Sequence, residues 1–122
     1  MKKNQVLIVE DDETFVPLIQ LALRDLNYEF HVVKDGQTAM AQLEKNSYSL
    51  VISDYRLPYI HGLEILKAVK EMAPDCNTVL ITATDQEMIR PALKDLDLLA
   101  FIQKPVSPRQ IRKIVTDKIS SL

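Results

Sequence analysis

The chain has 122 residues, 47% of them apolar and 26% charged, which predicts one globular domain over residues 1–122. Fifteen basic and seventeen acidic side chains give a net charge of −2 without a basic run, which argues against direct binding of nucleic acid. The one cysteine, Cys76, is expected to have no role, and no apolar stretch is long enough for a signal peptide or a membrane span, so a cytoplasmic location without membrane contact is expected.

The first half of the chain predicts three strands and two helices. The apolar run over residues 6–9 is typical of a strand buried on both faces. Residues 30–33 predict a second, shorter strand, and residues 50–53 predict a third, buried strand. Apolar side chains then recur at helical spacing after the first run: Phe15, Leu18, Ile19, Ala22 and Leu26. Pro17 lies in the first turn of this helix, where a missing N–H costs least, and Asn27 is expected to end it in a left-handed conformation. A second helix is predicted over residues 37–45.

The second half continues the alternation. A third helix follows Gly62 and ends before Pro74, and two more strands are predicted over residues 78–81 and 100–102. The fourth helix, between these strands, contains Pro91, which should delay its start or kink it. It is expected to run from about residue 85 to residue 96. The last helix has four apolar residues on one face: Ile111, Ile114, Val115 and Ile119.

Five strands alternating with five helices predict an α/β fold with a doubly wound parallel sheet of order 2-1-3-4-5, as in flavodoxin. The carboxyl ends of parallel strands lie at one edge of such a sheet, where ligand chemistry gathers. Polar residues of distinct kinds follow four of the five predicted strands: Glu10 and Asp11 after the first, Asp54 after the third, Thr82 after the fourth and Lys104 after the fifth. We therefore expect these five side chains to form one site.

The acids of this site have the chemistry of a metal centre. Carboxylates packed together repel one another, and a hard divalent cation such as Mg²⁺ or Mn²⁺ relieves that repulsion. Asp11 and Asp54 are the predicted carboxylate ligands, with the backbone carbonyl of Arg56 as a neutral ligand and Glu10 acting through a water on the metal. Asp12 is interpreted instead as the start of the first helix, where an acid is favoured by the helix dipole.

Asp54 is also the candidate nucleophile, since a carboxylate can attack phosphorus and form an acyl phosphate. Charge on the phosphoryl oxygens needs compensation, which the metal, the Lys104 ammonium and the Thr82 hydroxyl can supply. The alternative interpretations are a surface lysine, a threonine that caps a strand, and an aspartate that only opens a turn.

These residues resemble the receiver domain of bacterial two-component response regulators over essentially the whole chain. The acidic pair lies in Val9-Glu10-Asp11-Asp12, and the phosphoacceptor strand resembles residues 53–58 with Gly62 following. The segment Ile81-Thr82-Ala83 resembles the switch threonine, Phe101 the switch aromatic residue, and Lys104-Pro105 the conserved lysine with its proline. In similar domains the peptide bond of that pair is cis.

The resemblance implies that a sensor histidine kinase or a phosphotransfer protein donates the phosphoryl group, with Mg²⁺ required. It implies a domain that catalyses its own phosphorylation and slow dephosphorylation, and is not an ordinary turnover enzyme. Coupling of Thr82 and Phe101 would switch the face built by helix four, strand five and helix five, where a downstream effector domain or protein binds.

Three features depart from the family pattern, and all lie on the output side. Asp97-Leu98 replaces the usual Gly-Ala, Leu99-Ala100 replaces residues that are often acidic, and Pro91 interrupts the fourth helix. Four apolar residues near this loop are expected to form an exposed patch that contacts a partner or a second copy in a homodimer: Leu96, Leu98, Leu99 and Phe101. The alternative is that they cap the core.

Three other functions would require or permit different features in this sequence. A hydrolase of the haloacid dehalogenase type normally has a second aspartate two residues after its nucleophile, where this chain has Arg56. A flavodoxin-like cofactor binder would have a phosphate-binding loop after the first strand, where acids repel phosphate. A receiver that acts by protein interaction without phosphorylation remains the main alternative.

The lifetime of the phosphoryl group is expected to depend on Arg56 and Thr84, which should flank the entrance of the site. A guanidinium there can obstruct the attacking water and pair with phosphoryl oxygens, whereas Thr84 is too small to obstruct it. The alternative is that Arg56 points to solvent and contributes only its backbone.

Overall fold

The structure, a computed structural model, describes residues 4–58 and 60–120. Strands and helices alternate along the chain: β1 (Asn4–Val9), α1 (Val16–Ala22), β2 (Tyr28–Val33), α2 (Gly36–Lys45), β3 (Leu50–Ser53), α3 (Gly62–Met72), β4 (Asn77–Thr82), α4 (Gln86–Leu93), β5 (Ala100–Gln103) and α5 (Pro108–Ser120). All strand pairs are parallel, in the order β2-β1-β3-β4-β5, which confirms the predicted fold class and topology. In the part of the chain that the structure describes, no helix has the length and apolar character needed to cross a bilayer.

Each face of the sheet is covered by its own apolar cluster. Successive residues of β1 point to opposite faces, so Val6 and Ile8 pack with α1 and α5, whereas Leu7 and Val9 pack with α2, α3 and α4. All four of these side chains are fully buried. Burial of each large apolar side chain contributes roughly 1.5–3 kcal/mol, which explains the unbroken apolar run in the sequence of this strand. The side chain of Ile119, predicted to face the core, lies outside the described residues.

Helix α1 is shorter than its apolar periodicity predicts. It begins at Val16 with Pro17 in its first turn, as expected, but it ends at Ala22 and does not reach Leu26. Asn27 has the predicted left-handed conformation, with φ 62°, yet it follows a separate turn and does not end the helix. Arg112 of α5 donates hydrogen bonds to the carbonyl oxygens of Ala22, the last residue of the helix, and of Arg24, which satisfies acceptors that another helical turn would have used.

Helix α4 begins where it was predicted to begin, so the expected delay at its start is wrong. The Asp85 side chain caps it by accepting a hydrogen bond of 2.9 Å from the backbone N–H of Glu87. Pro91 lies inside the helix and cannot donate to the carbonyl of Glu87 one turn earlier. The helix ends at Leu93, about one turn short of its predicted end.

The four apolar residues of the predicted output patch are half-buried. Leu96, Leu98 and Phe101 pack against the cluster on the α2–α4 face, and Leu99 packs against the cluster on the α1–α5 face. This packing favours the alternative that these residues cap the core, whereas the predicted contact with a partner or a second copy stays a prediction. The early end of α4 explains this, because the loop that follows it lies over the ends of both clusters.

Gly62, at the start of α3, lies close to the backbone that follows β3. Its N–H donates to the carbonyl of Tyr55 at 3.0 Å. A Cβ atom at this position would lie 1.9 Å from the carbonyl oxygen of Asp54. Glycine is therefore required here by space, and it lets the residues after β3 lie directly against the first turn of α3.

Candidate functional site

The register of the sheet brings the predicted site residues to one edge. Val9 pairs with Ser53, so Glu10 and Asp54 follow the paired ends of β1 and β3. The backbone N–H of Asp54 donates to the carbonyl of Val9 at 3.0 Å, and the N–H of Lys104 donates to the carbonyl of Thr82 at 2.8 Å. The backbone positions of these residues are thus fixed by continuation of the strand ladders.

The three acids lie together as predicted. Carboxylate oxygens of Glu10, Asp11 and Asp54 all lie within 4.8 Å of one another. Glu10 and Asp54 are buried, whereas Asp11 is exposed at the mouth of the cluster. Oxygen donors at this spacing, two of them withdrawn from water, fit a hard divalent cation such as Mg²⁺ or Mn²⁺.

Lys104 joins the acids to the opposite side of the site. Its Nζ donates to Glu10 Oε1 at 2.6 Å and to Asp54 Oδ2 at 3.1 Å. Burial favours the neutral amine, but the hydrogen bonds to Glu10 and Asp54 outweigh it and raise the pKa of Lys104 above its usual value. The side chain therefore carries a full positive charge at physiological pH.

Glu10 is the most buried acid of the site, with 1% of its surface exposed. Burial raises its pKa to about 7; the Lys104 hydrogen bond opposes this rise, and the charge of Asp54 adds to it. Its second oxygen, Oε2, accepts a hydrogen bond of 3.2 Å from the backbone N–H of Asp12. Both oxygens of Glu10 are thus held by hydrogen-bond donors.

Arg56 and Thr84 lie at the entrance of the site, where the sequence predicted them. The backbone N–H of Arg56 donates to Asp54 Oδ1 at 3.2 Å, and its Nε donates to Thr84 Oγ1 at 3.2 Å. The N–H of Thr84 in turn donates to Thr82 Oγ1 at 3.2 Å. The guanidinium thus bridges the loops after β3 and β4 across a shallow cleft that Met88 also lines.

The Asp12 carboxylate lies outside the group formed by Glu10, Asp11 and Asp54. Its Oδ1 accepts hydrogen bonds from the backbone N–H and the hydroxyl of Thr14 at 3.0 and 2.6 Å, which hold the pKa of Asp12 below its usual value. Its carbonyl accepts from the N–H of Phe15 at 3.0 Å. Asp12 therefore shapes the turn that leads into α1, close to the interpretation made from the sequence.

The structure also bears on the sequence predictions for Lys104-Pro105 and for Cys76. The bond between Lys104 and Pro105 is cis, as the resemblance implied. Cys76 lies at the opposite edge of the sheet, and burial raises the pKa of its thiol to about 11, which disfavours the reactive thiolate.

Sequence reasoning missed Phe15 as a neighbour of the site. Its ring lies under the Lys104 ammonium, with 4.4 Å between Nζ and the ring centroid. The helical periodicity assigned Phe15 to the core, where its ring does pack. That pattern carried no signal for the second contact, because Lys104 lies far away in the sequence.

The sequence around this site matches a known protein family. A family model described as the response regulator receiver domain matches residues 6–116. The chain belongs to the response regulator receiver family. The match includes all five strands' carboxyl ends and each of the predicted site residues.

Relatives of this receiver include both longer regulators and proteins of similar length. The alkaline phosphatase synthesis transcriptional regulatory protein PhoP of Bacillus subtilis is 28% identical over 108 residues, which are 88% of this chain and 45% of PhoP. The transcriptional regulatory protein TrcR of Mycobacterium tuberculosis is 35% identical over 107 residues, 88% of this chain and 42% of TrcR. The receiver thus spans less than half the length of these two relatives. Among solved structures, the phosphorylated cyanobacterial phytochrome response regulator RcpA superposes with a TM-score of 0.80 at 25% identity, covering 98% of this chain and 96% of that one.

The pKa of Glu10 predicts how stability changes with pH in metal-free buffer. Its value in the folded protein is raised from 4.5 to about 7, so between these values the folded state holds a proton that the unfolded state has released. The free energy of unfolding should therefore fall as the pH rises through this window. Urea denaturation with a chelator present measures it.

Glu10→Gln cannot titrate at this position and should show a flatter dependence over the same pH range. Glu44→Gln, at an exposed position of α2, serves as the matched control and should keep the wild-type dependence. An equal decline in Glu10→Gln and the wild type would contradict the assignment.

Proposed function

We propose that this receiver accepts a phosphoryl group on Asp54 from a phosphohistidine of a sensor histidine kinase or a phosphotransfer protein. The observation that carries the proposal is the environment of the Asp54 carboxylate. It is buried at the end of β3, bonded to the Lys104 ammonium at 3.1 Å, and within 4.8 Å of two further carboxylates. A carboxylate held between a cation and a cluster of metal-type ligands suits attack on phosphorus.

In the proposed reaction, an Asp54 oxygen forms a bond to phosphorus as the bond from phosphorus to the donor imidazole nitrogen breaks. The electron pair of the broken bond returns to the imidazole. Lys104, which already bonds Asp54 Oδ2, is placed to pair with a phosphoryl oxygen as charge moves onto it. Thr82 offers its hydroxyl from the end of β4 to another.

The ligands proposed for Mg²⁺ or Mn²⁺ are the carboxylates of Asp11 and Asp54 and the backbone carbonyl of Arg56. Glu10 would act through water. When bound, the cation neutralises charge on the acids and on the phosphoryl oxygens. The carboxylate spacing supports this choice of ligands.

The proposed output is a change on the face of α4, β5 and α5 that couples Thr82 to Phe101. Phe101 lies on β5 opposite Leu80, in the cluster that also contains Ile89 of α4. A shift of the loop after β4 would therefore change the packing of both α4 and β5. An effector domain or protein, or a second copy of the chain, is the proposed partner on this face.

The family membership supports a single receiver domain over residues 1–122 in a cytoplasmic signalling pathway. Among the rival functions, phosphorylation-independent interaction predicts no covalent change at Asp54, and a hydrolase predicts turnover of many phosphate esters. The same experiment separates all three.

Incubation with acetyl phosphate and MgCl₂ should add the mass of one phosphoryl group to the wild type, detected by intact mass spectrometry. Asp54→Asn should gain none, since its amide is a poor nucleophile. Unmodified wild type would contradict the proposal and favour the interaction module. Continued release of phosphate without a persistent adduct would favour the hydrolase.

Mg²⁺ at millimolar concentration should raise the melting temperature, because it relieves repulsion among the three acids. Asp11→Ala should raise the stability of the metal-free protein, abolish phosphorylation and reduce the response to Mg²⁺. Asp75→Ala, an exposed acid at the opposite edge of the sheet, is the matched control and should respond like the wild type. An unchanged wild-type melting temperature would refute this account of the metal site.

Arg56 should prolong the life of the phosphorylated state. The bond from its Nε to Thr84 holds the guanidinium across the entrance, where it can obstruct water and pair with phosphoryl oxygens. Arg56→Asn should speed loss of phosphate about 10-fold, the rate equivalent of one charge-assisted contact of about 1.5 kcal/mol. A dephosphorylation time course with Mg²⁺ present measures this rate.

Arg90→Asn is the matched control, because Arg90 is exposed on α4 and bonds Glu87 away from the entrance. It should lose phosphate at the wild-type rate. An equal or slower rate in Arg56→Asn than in the wild type would rule out the obstruction.

A further inference from the structure

Phe15 places an aromatic face against the one lysine of the site. Its ring centroid lies 4.4 Å from Lys104 Nζ, and 7% of its surface is exposed. This separation is within the range of a cation–π interaction, and exclusion of water from the ring strengthens such a contact. The ammonium itself is largely withdrawn from solvent, with 15% of the side-chain surface exposed.

The backbone holds this ring in place from both sides. The N–H of Phe15 donates to the carbonyl of Asp12 at 3.0 Å, and its own carbonyl accepts from the N–H groups of Leu18 and Ile19 at 3.0 and 3.3 Å. The ring therefore stands at the junction between the acidic loop and α1. The same short segment positions both the acids and the aromatic face.

The ring attracts the ammonium in a way that the acids do not. Lysine has three N–H donors, and two carboxylate acceptors, from Glu10 and Asp54, lie within hydrogen-bond distance. A π face attracts positive charge over its whole area and imposes no single hydrogen-bond direction. An ammonium over such a face can turn between acceptors without losing the attraction.

We propose that Phe15 is a positioning residue for phosphoryl transfer, and that it holds the Lys104 ammonium over its ring while the ammonium turns from the Asp54 carboxylate to a phosphoryl oxygen. The inference rests on the proposed function and adds a role for a residue outside the acids, the threonine and the lysine. The competing interpretation is that the ring only fills the core.

The variant Phe15→Leu keeps an apolar side chain and removes the π face. It should slow phosphorylation by acetyl phosphate and Mg²⁺ about fivefold, the equivalent of roughly 1 kcal/mol of lost cation–π attraction. Phe30→Leu is the matched control: Phe30 packs half-buried against the same core cluster, beside Tyr28 and not beside a lysine of the site. It should be phosphorylated within twofold of the wild-type rate.

The Lys104→Met background separates positioning from packing. If Phe15 acts through the ammonium, Phe15→Leu should cause no further slowing in Lys104→Met. The proposal would be overturned if Phe15→Leu were phosphorylated at the wild-type rate. It would also be overturned if Phe15→Leu lowered the phosphorylation rate fivefold both in the wild type and in Lys104→Met. Urea unfolding of the wild type, Phe15→Leu, Lys104→Met and the double variant gives a second cycle. The loss of unfolding free energy in the double variant should be smaller than the sum of the losses in the two single variants.

A measurement on the wild type needs no phosphorylation. Protons on the Cε of Lys104, assigned with Lys104→Arg, should resonate upfield of those of exposed lysines because of the ring current of Phe15. Unshifted resonances would overturn the proposal. If the wild type shows the shift but takes no phosphoryl group, the proposed function fails while the contact between Phe15 and Lys104 stands.

Discussion

One ammonium group between two buried carboxylates is the interaction on which this receiver's site depends. Lys104 Nζ lies 2.6 Å from Glu10 and 3.1 Å from Asp54, and the three residues follow β5, β1 and β3. Loss of the Lys104 ammonium would leave the two buried carboxylates without their cation, at a cost of about 3–5 kcal/mol. The cluster therefore ties together the loops after three strands, one of which, β5, is next to neither of the other two in the sheet.

The acidic side chains of the site outnumber the basic ones, and this excess of negative charge determines which ligands the site attracts. Three carboxylates face one lysine, which leaves net negative charge at the mouth, where Asp11 is exposed. Burial is the main cause of the raised pKa of Glu10, and the charge of Asp54 adds to it. A cluster of oxygen donors with net negative charge favours a divalent cation.

The departures from the family pattern prove to be packing choices. Leu98 and Leu99 follow a helix that ends early, and each packs against the core on a different face of the sheet. At the entrance of the site, the hydrogen bond between Arg56 and Thr84 joins the loop after β3 to the loop after β4. The α4 side of the receiver is thus held by packing contacts of its own, through which the proposed switch would have to act.

The sequence by itself determined the sheet, its strand order and which polar residues meet at the carboxyl ends of the strands, because buried runs of fixed period and short crossovers leave few topologies open. It did not determine where α1 and α4 end, since the bond from Arg112 to the end of α1 joins residues about 90 positions apart. For the same reason only the tertiary structure revealed Phe15 beneath Lys104 and the approach of Gly62 to Asp54. Periodicity reports which face of an element is buried, whereas contacts between elements depend on distances that no local pattern contains.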